Sequence, residues 1–254
     1  MLTNERKQYI TELLRKEKKV TVSELAAYFD VTEETVRRDL TALECEGVAQ
    51  RIYGGAVLCE NSNVDLPYSV RKLSNVNEKR AIAEVLLPLI PDNSNIMLDG
   101  SSTALFVVKA LKTRKNLTVV TNSSEIVCEL SDMPSWRVFA TGGLLKEGGY
   151  AFVGARAVES IKSFHADIAV FSCKGIDMTS GLTDSNDNDA EIKKAIIGAS
   201  KRKILAIDST KFERVSLVEI CGISDVDVVV TDKYPGAEWL NYFNERQIEI
   251  YYKE

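Results

Sequence analysis

From residue 77 onward, stretches with helical periodicity alternate with short β-rich runs, and nothing else in the chain limits its fold so strongly. Apolar residues recur at helical spacing over residues 78–90, 104–111, 125–130, 157–163, 189–200 and 237–244. Between them, residues 95–98, 117–121, 137–140, 168–173, 204–207, 226–230 and 248–251 read as strands. Strands joined through helices run parallel, and a parallel sheet is covered by helices on both faces. A doubly wound α/β domain over residues 77–254 is therefore expected, with any ligand at the carboxyl ends of its strands.

Those ends carry small and polar residues. Asp99-Gly100-Ser101-Ser102-Thr103 lies between a strand and a helix, where backbone amides, three hydroxyls and a helix N-terminus could cradle a phosphate. Thr121-Asn122-Ser123-Ser124, Gly142-Gly143, Lys174-Gly175-Ile176-Asp177 and Asp208-Ser209-Thr210-Lys211 end the following strands. Any one such loop is commonplace. Five at one sheet edge, two with a lysine, point to a pocket for a phosphorylated small molecule.

The first part of the chain is of another kind. The first proline is Pro67, and helical spacing comes in three short stretches: residues 3–16, residues 22–29 after the capping pair Thr21 and Glu24, and residues 33–46. Thr32 is suited to cap the third stretch, Glu33 and Glu34 to its positive end, and Gly47 to its stop. Residues 48–53 and 56–58 around Gly54-Gly55 then form a hairpin. Three helices and a hairpin make a winged helix-turn-helix over residues 1–58. Residues 59–76 are polar with weak periodicity and read as a linker.

At about 100° per residue, Val36, Leu40 and Leu43 share one side of the third helix. Glu34, Thr35, Arg37, Arg38 and Thr41 lie on the other, as a helix reading the major groove requires. Arg51 and Tyr53 belong to the wing. The bland alternative is a solvated face in which Arg37 and Arg38 pair with Glu33, Glu34 or Asp39. Nine basic against ten acidic residues in residues 1–57, and a net charge of −5 overall, mean that any DNA contact depends on placement rather than bulk attraction.

Composition narrows the remaining chemistry. A single histidine, His165, removes most zinc sites and Ser-His-Asp or Cys-His catalysis and is read as a structural or surface residue; no metal site and no cofactor are expected. Five cysteines without a C-x-x-C pair, a first stretch without an apolar signal core, and no apolar run of membrane-spanning length fit a reduced, cytoplasmic protein without membrane contact.

The run Val22-Ser23-Glu24-Leu25-Ala26-Ala27-Tyr28-Phe29-Asp30-Val31-Thr32-Glu33-Glu34-Thr35-Val36-Arg37-Arg38-Asp39-Leu40, followed by Arg51-Ile52-Tyr53-Gly54-Gly55-Ala56, resembles the N-terminal signature of the DeoR family of bacterial transcription regulators. Leu98-Asp99-Gly100-Ser101-Ser102-Thr103, Val119-Val120-Thr121-Asn122, Gly142-Gly143, Gly175-Ile176-Asp177, Gly181-Leu182-Thr183, Ala190-Glu191-x-Lys193-Lys194 and Asp208-Ser209-Thr210-Lys211-Phe212 resemble the sensor domain of the same family, which is similar in fold to ribose-5-phosphate isomerases. The resemblance departs at Tyr53, where histidine is commoner, and at Lys174, which adds a point charge suited to phosphate or carboxylate.

The resemblance implies a DNA-binding repressor of sugar metabolism, a homo-oligomer on spaced half-sites, whose operator affinity is set by a phosphorylated sugar. Thr32, Glu34, Thr35, Arg37, Arg38, Thr41, Arg51 and Tyr53 are the expected DNA-binding residues. Asp99, Gly100, Ser101, Ser102, Thr103, Asn122, Gly142, Gly143, Lys174, Asp177, Glu191 and Lys211 are the expected effector-binding residues. The alternative is a phosphosugar isomerase or deaminase with a regulatory head. Such an enzyme needs a positioned base, and Cys173-Lys174-Gly175-Ile176-Asp177 stands where the isomerase-like fold carries an acidic stretch.

Overall fold

The computed structural model describes residues 3–45, 48–58 and 67–254, and the chain divides into two compact units, residues 1–70 and 71–254. In the first unit α1 (Thr3–Glu17) is followed by β1 (Lys19–Thr21), α2 (Val22–Phe29), α3 (Glu33–Cys45), β2 (Ala49–Ile52) and β3 (Gly55–Leu58). Thr21 accepts from the Glu24 amide at 3.3 Å and donates to the Glu24 carboxylate at 2.5 Å, so the capping pair read from the sequence starts α2. Thr32 accepts from the Thr35 amide at 3.3 Å at the start of α3. Gly47, the expected stop, and residues 59–66 of the expected linker lie outside the described residues.

The wing is a three-stranded antiparallel sheet in the order β1-β3-β2, one strand more than the sequence suggested. β1 is too short to show a period, and it is fixed by close approach instead: a Cβ at Gly55 would lie 2.0 Å from the Val20 carbonyl oxygen. Ile10, Leu14, Leu25, Val36, Leu40, Leu43 and Ala56 form the core. Within it a buried ion pair joins α1 to α3, Arg6 Nε lying 2.5 Å and Nη2 3.2 Å from the two oxygens of Asp39.

α4 (Tyr68–Leu73) occupies part of the stretch whose periodicity was too brief to read, and the division between the units falls within it. The second unit continues with α5 (Val76–Leu86), β4 (Asn95–Leu98), α6 (Ser102–Leu111), β5 (Thr118–Thr121), α7 (Ser124–Glu129) and β6 (Arg137–Ala140). There follow β7 (Leu144–Leu145), β8 (Phe152–Val153), α8 (Ala155–Lys162), β9 (Ala166–Phe171), β10 (Gly175–Asp177), β11 (Gly181–Asp184) and α9 (Asp187–Gly198). β12 (Ser200–Ala206), β13 (Val218–Cys221), β14 (Val228–Thr231), α10 (Ala237–Glu245) and β15 (Glu249–Tyr252) complete it.

Seven strands form one sheet in the order β15-β14-β12-β9-β4-β5-β6, and every pairing is parallel. This is the doubly wound α/β architecture that the alternation demands. One apolar cluster includes Leu86, Leu98, Leu105, Val119, Val170 and Val228, and the other Phe171, Ile192, Leu205, Trp239 and Phe243. Two smaller antiparallel sheets, β7-β8 and β10-β11-β13, are not evident in the sequence: β7, β8 and β10 have two or three residues, and β11 and β13 lack the continuous apolar run of β14. Strand order reverses between β4 and β9: from β4 the chain proceeds to β5 and β6 on one side, and from β9 to β12, β14 and β15 on the other. A crevice forms at the carboxyl ends of two strands that diverge in this way.

The Arg6–Asp39 pair yields a test of the first unit. Asp39→Ala leaves a buried guanidinium without its partner and is expected to cost about 3–5 kcal/mol, whereas replacing both residues by apolar ones of similar volume is expected to cost much less. Urea denaturation of the three proteins checks this, and a double variant as unstable as the single one would contradict it.

Candidate functional site

On α3, Val36, Leu40 and Leu43 are buried, while Glu34, Arg37, Arg38 and Thr41 are exposed and Thr35 is half-buried, as the helical wheel requires. Arg37 pairs with Glu33 at 2.5 Å and lies 3.8 Å from Glu34, so this part of the bland alternative is present. Asp39 is not available to either arginine because Arg6 holds it. Arg38 has no ion-pair partner among the described residues. Arg51 of the wing reaches back to α3: its Nη1 donates to Thr41 Oγ1 at 2.9 Å and its amide to Glu44 at 2.9 Å. Tyr53 stands fully exposed beside Gly54 at the wing tip, where φ is +77°. Thr32, spent on capping, is held within 2.9 Å of the Thr35 hydroxyl.

The crevice between the ends of β4 and β9 holds the second site. Asp99 follows β4 and is fully buried; one carboxylate oxygen accepts from the Ser101 amide at 3.2 Å and the other from the Ser172 amide, beyond β9, at 3.1 Å. Ser101 caps α6 by accepting from the Ala104 amide at 3.1 Å. Gly100 is required here, since a Cβ would come within 2.8 Å of the Ala151 Cβ. Asn122, at the end of β5, is tied to the β8 hairpin: its carbonyl accepts from the Phe152 amide at 2.7 Å and its Nδ2 donates to the Phe152 carbonyl at 3.0 Å.

α9 closes the cleft with Lys193, buried and ion-paired to Asp184, which ends β11, and 3.7 Å from Asp99. One turn earlier, Asp189 accepts from Lys146 at 2.8 Å and from Asn186 at 2.9 Å. Arg71 and Gly149 complete the rim of the cleft. Lys79, buried on α5, donates to the Arg71 carbonyl at 2.5 Å and to that of Ser74, fixing the backbone that carries Arg71.

Of the residues expected from the sequence, Asp99, Gly100, Ser101 and Asn122 line this cleft together. Ser102 and Thr103 are buried in the first turn of α6. Gly143 packs against Val153 and Ala157, and Gly142 supplies a φ of +63° beside it. The Lys174 amide donates to Thr183 in the small sheet, and Asp177 caps the turn to β11 by accepting from Thr179 and Ser180, which holds its carboxyl below the usual range. Lys211 sits in a 3-10 turn after β12, next to Asp208. Glu191 points to the other side of α9, ion-paired to Lys194 at 3.3 Å, and with exposed His165 lines a separate shallow depression.

Arg71, Lys146, Asp184, Asp189 and Lys193 went unread as site residues. Glu191 and Lys193 are two residues apart and so face opposite ways on a helix, whereas Asp189 and Lys193 are four apart and share a face. That spacing was the available signal.

Burial alone would lower the Lys193 ammonium, but Asp184, Asp99 and Asp189 outweigh it and raise its pKa. Burial raises the Asp99 carboxyl, against the pull of Lys193 and the two amides. For Asp189 burial also acts upward, but Lys193 and Lys146 prevail and hold it below its ordinary value. No group of histidine, cysteine and carboxylate side chains among the described residues could hold a metal ion, and no described helix is long and apolar enough to cross a membrane.

Residues 6–62 match the DeoR-like helix-turn-helix domain and residues 74–233 the DeoR C terminal sensor domain. The uncharacterized HTH-type transcriptional regulator YulB of Bacillus subtilis (strain 168) is 39% identical over 250 residues, which cover 98% of this chain and 96% of that protein. The L-fucose operon activator of Haemophilus influenzae is 34% identical, covering 91% of this chain and 92% of its own. The glycerol-3-phosphate regulon repressor of Escherichia coli (strain K12) is 30% identical, covering 98% and 99%. The chain is also similar to a solved ribose 5-phosphate isomerase from Methanocaldococcus jannaschii, with a TM-score of 0.41, 16% identity and coverage of 55% of each chain.

The cluster around Lys193 sets a pH test. In the intact protein the lowered Asp189 contributes stability above the ordinary carboxylate pKa, and that stability is lost as pH falls through its folded value. Lys193→Met enlarges the opposite effect at Asp99: already raised by burial, its carboxyl rises further, so stability present below the unfolded pKa is lost as pH rises through the folded one. The variant is expected to lose about 3–5 kcal/mol at pH 7.5 and clearly less at pH 5.5, measured by chemical denaturation. Equal losses at the two pH values would contradict this arrangement.

Proposed function

This chain belongs to the DeoR family of transcriptional regulators, and we propose that it represses a sugar-metabolism operon, its hold on operator DNA being set by a phosphorylated sugar in the cleft of residues 71–254. The observation that carries the effector reading is the position of the cleft: it lies where strand order reverses, at the first turn of α6, with Arg71 and Lys146 on its rim. The first-turn amides of a helix have no helical acceptor and favour an anion, and an arginine can grip phosphate with two parallel bonds. An incoming phosphate would draw Lys146 from Asp189, exchanging one anionic partner for another. That one relative is named for a glycerol-3-phosphate regulon agrees with a phosphate-ester effector, and that another is named for an L-fucose operon agrees with a target in sugar metabolism.

The reading head is α3 with the wing. Arg38, which has no ion-pair partner among the described residues, is suited to enter a groove, Arg37 lies beside it, and Arg51 braced on Thr41 is suited to a phosphate. One head contacts few base pairs, so a homo-oligomer on spaced half-sites is part of the proposal. The enzymatic alternative is disfavoured by the cleft itself, because its carboxylates are engaged: Asp99 by two backbone amides, Asp184 by Lys193, and Asp189 by Lys146 and Asn186. Asp189, which a phosphate would release from Lys146, keeps its bond from Asn186 and the charge of Lys193.

Gel-shift titration on the DNA upstream of the chain's own gene tests both halves. Arg38→Ala is expected to weaken binding by about 1–3 kcal/mol, while Arg51→Ala mainly lowers its salt dependence. Ribose 5-phosphate, glycerol 3-phosphate and glucosamine 6-phosphate are the first probes, and an effector is expected to shift operator affinity about 5–150-fold. Unchanged DNA affinity in both variants would overturn the assignment of the reading head, and turnover of a probe would restore the enzymatic alternative.

A further inference from the structure

Asn122 has a feature that the phosphate reading does not use. The side chain is 2% exposed and lines the cleft, yet its Oδ1 is buried without a hydrogen-bond partner. The orientation of the amide is fixed by chemistry, because the Phe152 carbonyl can only accept and so must face the Nδ2 side at 3.0 Å. A Cβ at Gly100 would stand 3.5 Å from Asn122 Nδ2 and 3.6 Å from Oδ1, so the glycine leaves this face of the amide without a side chain against it. A buried acceptor left unmatched costs free energy, which a donor on a ligand would recover.

That donor cannot be the phosphate. A phosphate monoester dianion carries no hydrogen to give, and its oxygens would be repelled by a carbonyl oxygen. The cations, Arg71 and Lys146, and the acceptor are thus directed at different parts of one molecule. Resting on the reading of this cleft as a phosphate-ester site, we propose that Asn122 Oδ1 accepts a hydroxyl hydrogen from the carbon skeleton of the ligand. Asn122 is then the residue that makes the cleft select hydroxylated phosphate esters over inorganic phosphate and simple alkyl phosphates. A site built to pair with a hydroxyl rejects the analogue that lacks it far more strongly than an apolar pocket rejects a missing methylene.

Isothermal titration of the full chain with ribose 5-phosphate, glycerol 3-phosphate, glucosamine 6-phosphate, ethyl phosphate and inorganic phosphate tests this. At least one hydroxylated ester is expected to bind tenfold or more tightly than ethyl phosphate. In Asn122→Leu, which also loses the donation to Phe152, all the esters are expected to weaken and the ratio is expected to fall to within twofold. Asn122→Asp loses the donation to Phe152 but keeps an acceptor, so it is expected to weaken all the esters and to retain the preference, which separates acceptor chemistry from a merely structural tie to the hairpin. A preference that survives in Asn122→Leu, or a wild-type protein that binds ethyl phosphate as tightly as every hydroxylated ester, overturns the proposal even where the leucine variant fails to fold. Binding of no phosphate ester at all overturns the effector reading itself, a result distinct from binding without preference.

Discussion

The carboxylate of Asp99 is the point on which the second unit turns. It ends one central strand, reaches across to the amide beyond the neighbouring strand, and organises the first turn of the helix that follows. A charge so deeply buried is tolerable only with a countercharge, and Lys193 supplies it from α9 while also holding Asp184. The two halves of a doubly wound sheet diverge here and would leave a gap of backbone ends. The ion cluster fills the floor of that gap, and what remains above it is the cleft.

Much of this was legible in the sequence, for identifiable reasons. Segments such as α6 and β9 are long and apolar enough for their period to declare itself, and the alternation of such segments fixes a parallel sheet. The capping residues Thr21 and Thr32 were readable because a hydroxyl before a helix has one dominant use. β7, β8 and β10, two or three residues long, and β11 and β13, which lack the continuous apolar run of β14, are placed by tertiary pairing rather than by a local pattern. The same limit explains the uneven reading of the cleft. Loops next to β4 and β5 were identified, but Lys146 comes from the β7–β8 hairpin and Asp184 from the end of β11. Lys174 and Lys211 stand out in the sequence as strand-end lysines, while Lys193, inside a helix, is a lysine that the fold turns into the cleft.

In the first unit, burying an ion pair changes the surface that is left. Asp39 lies among Arg37, Arg38 and Thr41 in sequence, and an exposed carboxylate there would repel DNA phosphates. Arg6 draws it into the core. The outer face of α3 therefore shows less negative charge than its sequence contains, which is how a region with no net positive charge can still present arginines to a groove.

The separation of contacting residues also orders events in time. Asp99 and Ser172 are 73 residues apart, and Lys193 comes later still, whereas Arg6 and Asp39 are 33 apart and close the core of the first unit early. At a synthesis rate of about 5–20 residues per second, the winged unit leaves the ribosome on the order of ten seconds before α9 does. Long-range parallel pairing then adds its own delay. Each new molecule thus passes through a period in which it has a finished first unit and no cleft, and the cleft would be missing from any chain whose translation stopped short of Lys193.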